Sequence, residues 1–298
     1  MLGTEGYYDS YNYNSTLLKT SGATKVKNGR RSGIHKVAEG SPSKNFYWYE
    51  FSFIPNLGFL ADSDPLLTDC ELTLTFGRAK PQVAVIQVAA GDALTTIELA
   101  HVHAITEYVS SPAMRNYFQT IEQNPIIYTY DNIEVFTKQL PSNDTTVRFD
   151  NMRGGSIPTH IFAGIIPTSA ITGDYDLSST GFEWKEVEEF NISLNGASVN
   201  GYPLTMRYPG SVVPLQQFHD VTDRLLNVNA GSALTLLRFE SNFVWSHKFE
   251  AEQTANGWIG VDFKLKSVLA APSTLVVWIV SPQSLSIDKF HRIEVVND

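Results

Sequence analysis

SIPTHIFAGIIPTSAITGDYDLSSTGFEWKEVEEFNISLNGASVNGYPL, residues 156–204, holds the two segments whose patterns decide the fold. The first, Ile157 to Ile166, is a short apolar run punctuated by Pro158 and Pro167, the composition of a strand buried on both faces. A polar link follows, Thr172-Gly173-Asp174-Tyr175-Asp176. From Glu188 the residues alternate polar and apolar, placing Phe190, Ile192 and Leu194 on one face of a strand. Asn195-Gly196 then supplies the left-handed backbone that a tight turn needs. These are two core strands of a β-sandwich joined by a long excursion.

The order of these motifs, I-P-x-H-I-x-x-G-x-I-P, an acidic-aromatic link, then F-N-I-S-L-N-G and Y-P-L, resembles a known family. It is similar to the second jelly roll of the double jelly-roll major capsid proteins of Maverick/Polinton elements and adintovirus-like DNA viruses. The run Leu72-Thr73-Leu74-Thr75-Phe76-Gly77-Arg78 and the ending Leu285-Ser286-Ile287-Asp288-Lys289 resemble further segments of that family. The resemblance implies two rolls side by side in each chain, and three chains in a pseudo-hexameric capsomer of an icosahedral shell. Its implied partners are further copies of the chain, neighbouring capsomers and a penton protein. Its implied location is the virion capsid, with the cytoplasm or nucleus before assembly.

Composition sets the outer bounds. The chain has 298 residues, 43% hydrophobic and 12% aromatic, enough for a sizeable core rather than a disordered polymer. Its net charge of −9 argues against a surface built mainly for phosphates. Basic character gathers near the start, where Lys25, Lys27, Arg30 and Arg31 lie within one short segment. Weak nucleic-acid contact there competes with a plain solvated loop, and the loop is the better reading of so short a cluster. Cys70 is the single cysteine, so no intrachain disulfide forms, which fits a reducing compartment. The opening residues lack a secretory signal pattern, and no apolar run reaches the length of about eighteen that would span a membrane.

The expected organisation is all-β: a viral jelly-roll sandwich, with one complete roll preceded by a partial one. Residues 1–89 read as an arm, over 1–45, and the closing part of an incomplete first roll; residues 90–298 read as the complete second roll. An eight-stranded roll needs more strands than the segment before residue 90 offers, so the chain reads as an N-terminally truncated copy. Within 1–89, Phe46 to Ile54 forms an aromatic strand, and Cys70 to Phe76 alternates strictly. Further strands are expected at 126–140, 145–149, 234–239, 243–249, 258–265 and 273–280. A short helix near 214–227 follows from the spacing of Leu215, Phe218, Val221, Leu225 and Leu226.

Chemistry-bearing patterns are sparse. His101-x-His103 places two imidazoles on one strand face, a metal pair such as a cupin-type enzyme would use, but no third ligand accompanies it. Cys70 sits in an alternating strand, where a packing role outweighs nucleophilic use. Asp62/Asp64 and Asp174/Asp176 are turn aspartates lacking the other ligands of a calcium loop. Glu183, Glu186, Glu188 and Glu189 form an acidic run suited to a solvated face or to a basic neighbour. No nucleophile elbow, P-loop or dinucleotide fingerprint occurs. The expectation is therefore no catalytic residue, no cofactor site and no metal site. The alternatives left open are a carbohydrate-binding sandwich using Trp184, Trp245 or Trp258, and a domesticated transposon-derived protein that no longer builds virions.

Overall fold

The computed structural model describes residues 125–152, 158–174, 177–184, 187–206, 212–225, 239, 242–249, 257–288, 290 and 292–296. It also describes the backbone of 35–39 and 44–48 and single positions at 73, 75, 77, 80 and 112.

Near the start, β1 (His35–Glu39) and β2 (Lys44–Trp48) form an antiparallel hairpin. Within the segment read as an arm over 1–45, residues 35–39 and 44–45 are strand; a five-residue segment that pairs with its neighbour shows little periodicity of its own. Thr73 and Thr75, expected within a strand, are exposed and belong to none.

The main region contains β3 (Ile126–Leu140), β4 (Thr146–Phe149), β5 (His160–Pro167), β6 (Val187–Leu194), β7 (Ala197–Ser198), β8 (Leu204–Thr205), β9 (Trp245–Lys248), β10 (Ile259–Leu265), β11 (Ser273–Ile287) and β12 (Ile293–Val296). Helix α1 (Thr168–Thr172) follows β5, and α2 (Val212–Leu225) lies between β8 and β9. The pairing is nested. β3 pairs with β11, β4 with β10, β5 with β9, and β6 with β7 and β8, all antiparallel. A long hairpin of this kind, rolled up, is a jelly roll. Rolling joins β11 to β5 and β10 to β6, giving one sheet ordered β3-β11-β5-β9 and a second ordered β4-β10-β6-β7. β7 and β8 share one edge of β6, as two short pieces of a single interrupted lane.

The register sorts side chains between the faces. In the first sheet Ile161, Ala163 and Ile165 stand opposite Ile279, Val277 and Leu275. In the second, Phe190 and Ile192 stand opposite Phe263 and Val261. All ten are buried and share one core with Trp184 and Trp245. Each fully buried aliphatic or aromatic side chain contributes about 1.5–3 kcal/mol, so this double layer is the main source of stability. Leu194, expected in the same core, is half-buried at its edge, where β6 turns. That turn is Asn195-Gly196, with φ of 51° and 80°, the two-residue reversal its sequence calls for.

β11 runs to Ile287, beyond the expected end at Val280. Pro282 does not stop it. β5 pairs with β11 through Val280, and the pairing of β11 with β12 begins at Ser284, so Pro282 falls where one side of the strand has no ladder. A missing N–H costs little at such a gap. The expected helix forms as α2 but starts before Pro214, since proline is tolerated in a first turn. Leu215 and Phe218 pack against the core, and Val221 is buried.

Candidate functional site

The alternation that fills the core leaves two outer faces of different character. On the first sheet, the outward positions of β5 and β11 include Phe162 opposite Trp278, Gly164 opposite Val276, and Ile166 opposite Thr274. The connection from β5 to β6 folds back across them. Ile166, Ala170 and Val276 form a second apolar cluster with Leu177, Phe182 and Trp278. Phe182 meets Trp278 edge-on, with centroids 5.2 Å apart. The Glu183 N–H donates to the Ile165 carbonyl, and the Phe243 N–H to that of Phe182, which anchors the end of this strap. β5 is thus buried on both faces because its own outgoing connection covers the outer one.

Beyond the strap the same sheet exposes apolar groups. Ile127 and Val135 are 60% and 55% exposed on the outer side of β3. Phe290, Ile293 and Val295 are exposed at and before β12. Single exposed aliphatics are ordinary, whereas clusters mark association surfaces.

The outer face of the second sheet is polar. Asp262 stands opposite Arg148 on β4 and Asn191 on β6. Arg148 Nε lies 2.6 Å from Asp150 Oδ2 and 3.6 Å from Asp262 Oδ1. Asn191 Nδ2 donates to Asp262 Oδ2 over 3.4 Å. Burial pushes the Asp262 carboxyl above its ordinary value; Arg148 pulls against that, Asp150 adds to it, and the Asn191 hydrogen bond opposes it. Further along, Lys264 Nζ lies 3.1 Å from Glu188 and 3.8 Å from Glu189, and the Glu188 hydrogen bond holds the ammonium above its usual value.

The residues singled out by sequence pattern scatter accordingly. Glu188 and Glu189 pair with Lys264 on the second sheet, while Glu183 sits at the strap's end beside the first, so the acidic run is not one patch. Of the tryptophans considered for sugar stacking, Trp184 and Trp245 are 6% and 1% exposed inside the sandwich. Trp245 stacks on Phe190 at 4.8 Å and meets Phe243 edge-on at 4.6 Å. They are core residues, so that part of the carbohydrate reading is corrected: an aromatic on an alternating strand faces inward as readily as outward. Trp258 is half-buried beside the Asn195-Gly196 turn, its backbone N–H donating to Asn195 Oδ1. Lys25, Lys27, Arg30, Arg31, Asp62, Asp64, Cys70, His101, His103, Asp176 and Glu186 lie outside the described residues. Among the described residues no three His, Cys, Asp or Glu side chains gather as a metal set, and no helix is long and apolar enough to cross a membrane. The network joining Arg148, Asp150, Asn191 and Asp262 has no sequence signature, because only strand register brings it together.

No family model matches the sequence, and no curated protein matches it. Solved structures similar in backbone include the PBCV-1 virus capsid, at 10% identity over 58% of this chain and 52% of that one, with a TM-score of 0.37. PBCV-1 VP54, fitted into a reconstruction of the virophage Sputnik, is 13% identical over 63% and 55%, with a TM-score of 0.39. The mavirus major capsid protein is 10% identical over 58% and 41%, with a TM-score of 0.30. The chain spans about half, or less, of the length of these capsid chains.

Proposed function

We propose that the chain is a structural capsid protein of the double jelly-roll kind, related to those of Polinton/Maverick elements, which assembles as trimeric capsomers of an icosahedral shell. The observation that carries this reading is the nested strand pairing: β3 with β11, β4 with β10, β5 with β9, and β6 with β7 and β8. Jelly rolls of this form serve viral capsids, lectins and cupins. The lectin use loses Trp184 and Trp245 to the core. The shell use agrees with the I-P-x-H-I-x-x-G and F-N-I-S-L-N-G motifs, whose His160–Gly164 and Phe190–Leu194 portions lie on β5 and β6. A stiff sandwich with loops gathered at its ends and sides free to pack suits a shell subunit. The exposed Ile127, Val135, Phe290, Ile293 and Val295 supply apolar surface for contacts between copies. The role is structural rather than catalytic, and the partners are further copies of the chain and neighbouring capsomers.

Size-exclusion chromatography with multi-angle light scattering on the full chain tests this reading. A mass of three chains is expected. A monomer that persists across the accessible concentration range contradicts it.

A further inference from the structure

We infer that Asp262, with Asp150, forms an acid-closed clamp across β4, β10 and β6: a proton bound at Asp262 supplies a hydrogen-bond donor to occluded oxygens that no other donor among the described residues reaches. Donors and acceptors are not matched in position there. Two carboxylates and one amide meet on the outer face of the second sheet, and Arg148 Nε serves both carboxylates, at 2.6 Å and 3.6 Å. Asn191 Nδ2 donates one N–H to Asp262 Oδ2. Asp150 Oδ1, Asn191 Oδ1 and Asp262 Oδ1 are then closed off from solvent with no hydrogen-bond partner among the described residues. An occluded acceptor without a donor is destabilising, and three together strongly so. A carboxylate becomes a donor when it binds a proton. Protonated Asp262 satisfies one orphan acceptor and removes the repulsion between two carboxylates that share a single cation.

A Cβ added at Gly260 falls 2.6 Å from Ser193 Oγ and 2.8 Å from Asp150 Oδ1, so these oxygens close over the glycine backbone. Arg148 is 65% exposed, which screens its attraction; Asp150 and Asp262 are 28% and 30% exposed. Among the described residues, two further charged groups bear on the cluster's surroundings. On β10 and β6, Lys264 is already held by Glu188 and Glu189. From β3, Lys138 Nζ donates to the Arg148 carbonyl rather than to a carboxylate.

Burial moves the Asp262 carboxyl above 3.8 in the folded protein. The folded state then binds this proton more tightly than the unfolded chain does. Its stabilising contribution is complete below the unfolded value and is lost as pH rises through the folded one. The clamp closes as pH falls through the folded value and opens as pH rises through it, whatever assembly the roll enters.

Thermal melts of the full chain, followed by near-ultraviolet circular dichroism between about pH 7 and about pH 4, test this with Asp262→Asn. The variant carries a permanent amide donor. Its melting temperature is expected to exceed the wild type's at neutral pH by about 2–4 °C, with the gap narrowing as pH falls. Parallel curves overturn the clamp. Asn191→Asp adds a third carboxylate and is expected to steepen the pH profile; it decides the matter if Asp262→Asn does not fold, an unchanged profile overturning the inference. Calcium chloride added to wild type at neutral pH is expected to leave the melting temperature unchanged. A rise present in wild type and absent from Asp262→Asn overturns the clamp in favour of a cation site.

Discussion

Gly164→Ala is the sharpest probe of how the strap covers the first sheet. A Cβ at that position lies 2.6 Å from Phe182 Cδ1, 3.1 Å from Cγ and 3.2 Å from Cε1. Carbon atoms rest at about 3.5–4.0 Å, so the ring must retreat by about 1 Å. It has little freedom to do so, because Trp278 meets it edge-on at 5.2 Å and the Glu183 N–H fixes the backbone one residue later. Overpacking of this kind costs about 1–3 kcal/mol. The lower entropy of alanine in the unfolded chain offsets about 0.4–1 kcal/mol. The net loss is expected to be about 1–2 kcal/mol, a fall of roughly 2–8 °C in melting temperature. In a Phe182→Ala background the collision is gone, and Gly164→Ala is expected to be neutral or mildly stabilising. Urea titrations of wild type, both single variants and the double variant yield the coupling energy, expected at about 1–3 kcal/mol. Equal losses in both backgrounds, within about 0.5 kcal/mol, refute the packing of the strap on the sheet.

Trp245→Ala removes a ring held between Phe190 and Phe243, and is expected to cost about 3–5 kcal/mol by urea titration; a loss under about 1 kcal/mol contradicts its core position. Gly196→Ala places a Cβ at φ of 80°, with an expected cost of about 1–2 kcal/mol, and an unchanged unfolding midpoint refutes the left-handed turn. Elemental analysis of purified protein is expected to find no stoichiometric zinc, iron or copper. About one metal per chain, lost on changing His101 and His103 to alanine, contradicts the purely structural role.

What the sequence revealed, and what it concealed, follows from the range of the forces involved. The continuous apolar run Thr274 to Val280 and the alternation from Glu188 to Leu194 record burial residue by residue, so β11 and β6 are legible. Asn195-Gly196 is legible because its backbone conformation restricts residue type. The two-residue strands β7 and β8 are too short for a period, and α1 hides in a Thr-Ser-Ala-Ile-Thr segment whose polarity suits a loop equally well. The outer-face network is different in kind. Arg148, Asp150, Asn191 and Asp262 come from three strands and their ends, and a shift of one residue in register would turn each side chain to the other face. Burial pattern reports which residues are inside, and only pairing reports which residues meet.

The capsid reading is tested most directly by electron cryo-microscopy of particles purified from cells expressing the full chain. Closed shells are expected, their capsomers each resolving into three copies, with the sheets ordered β3-β11-β5-β9 and β4-β10-β6-β7 inside every copy. Dispersed single chains of this same fold, with no capsomer in any class average, would contradict it.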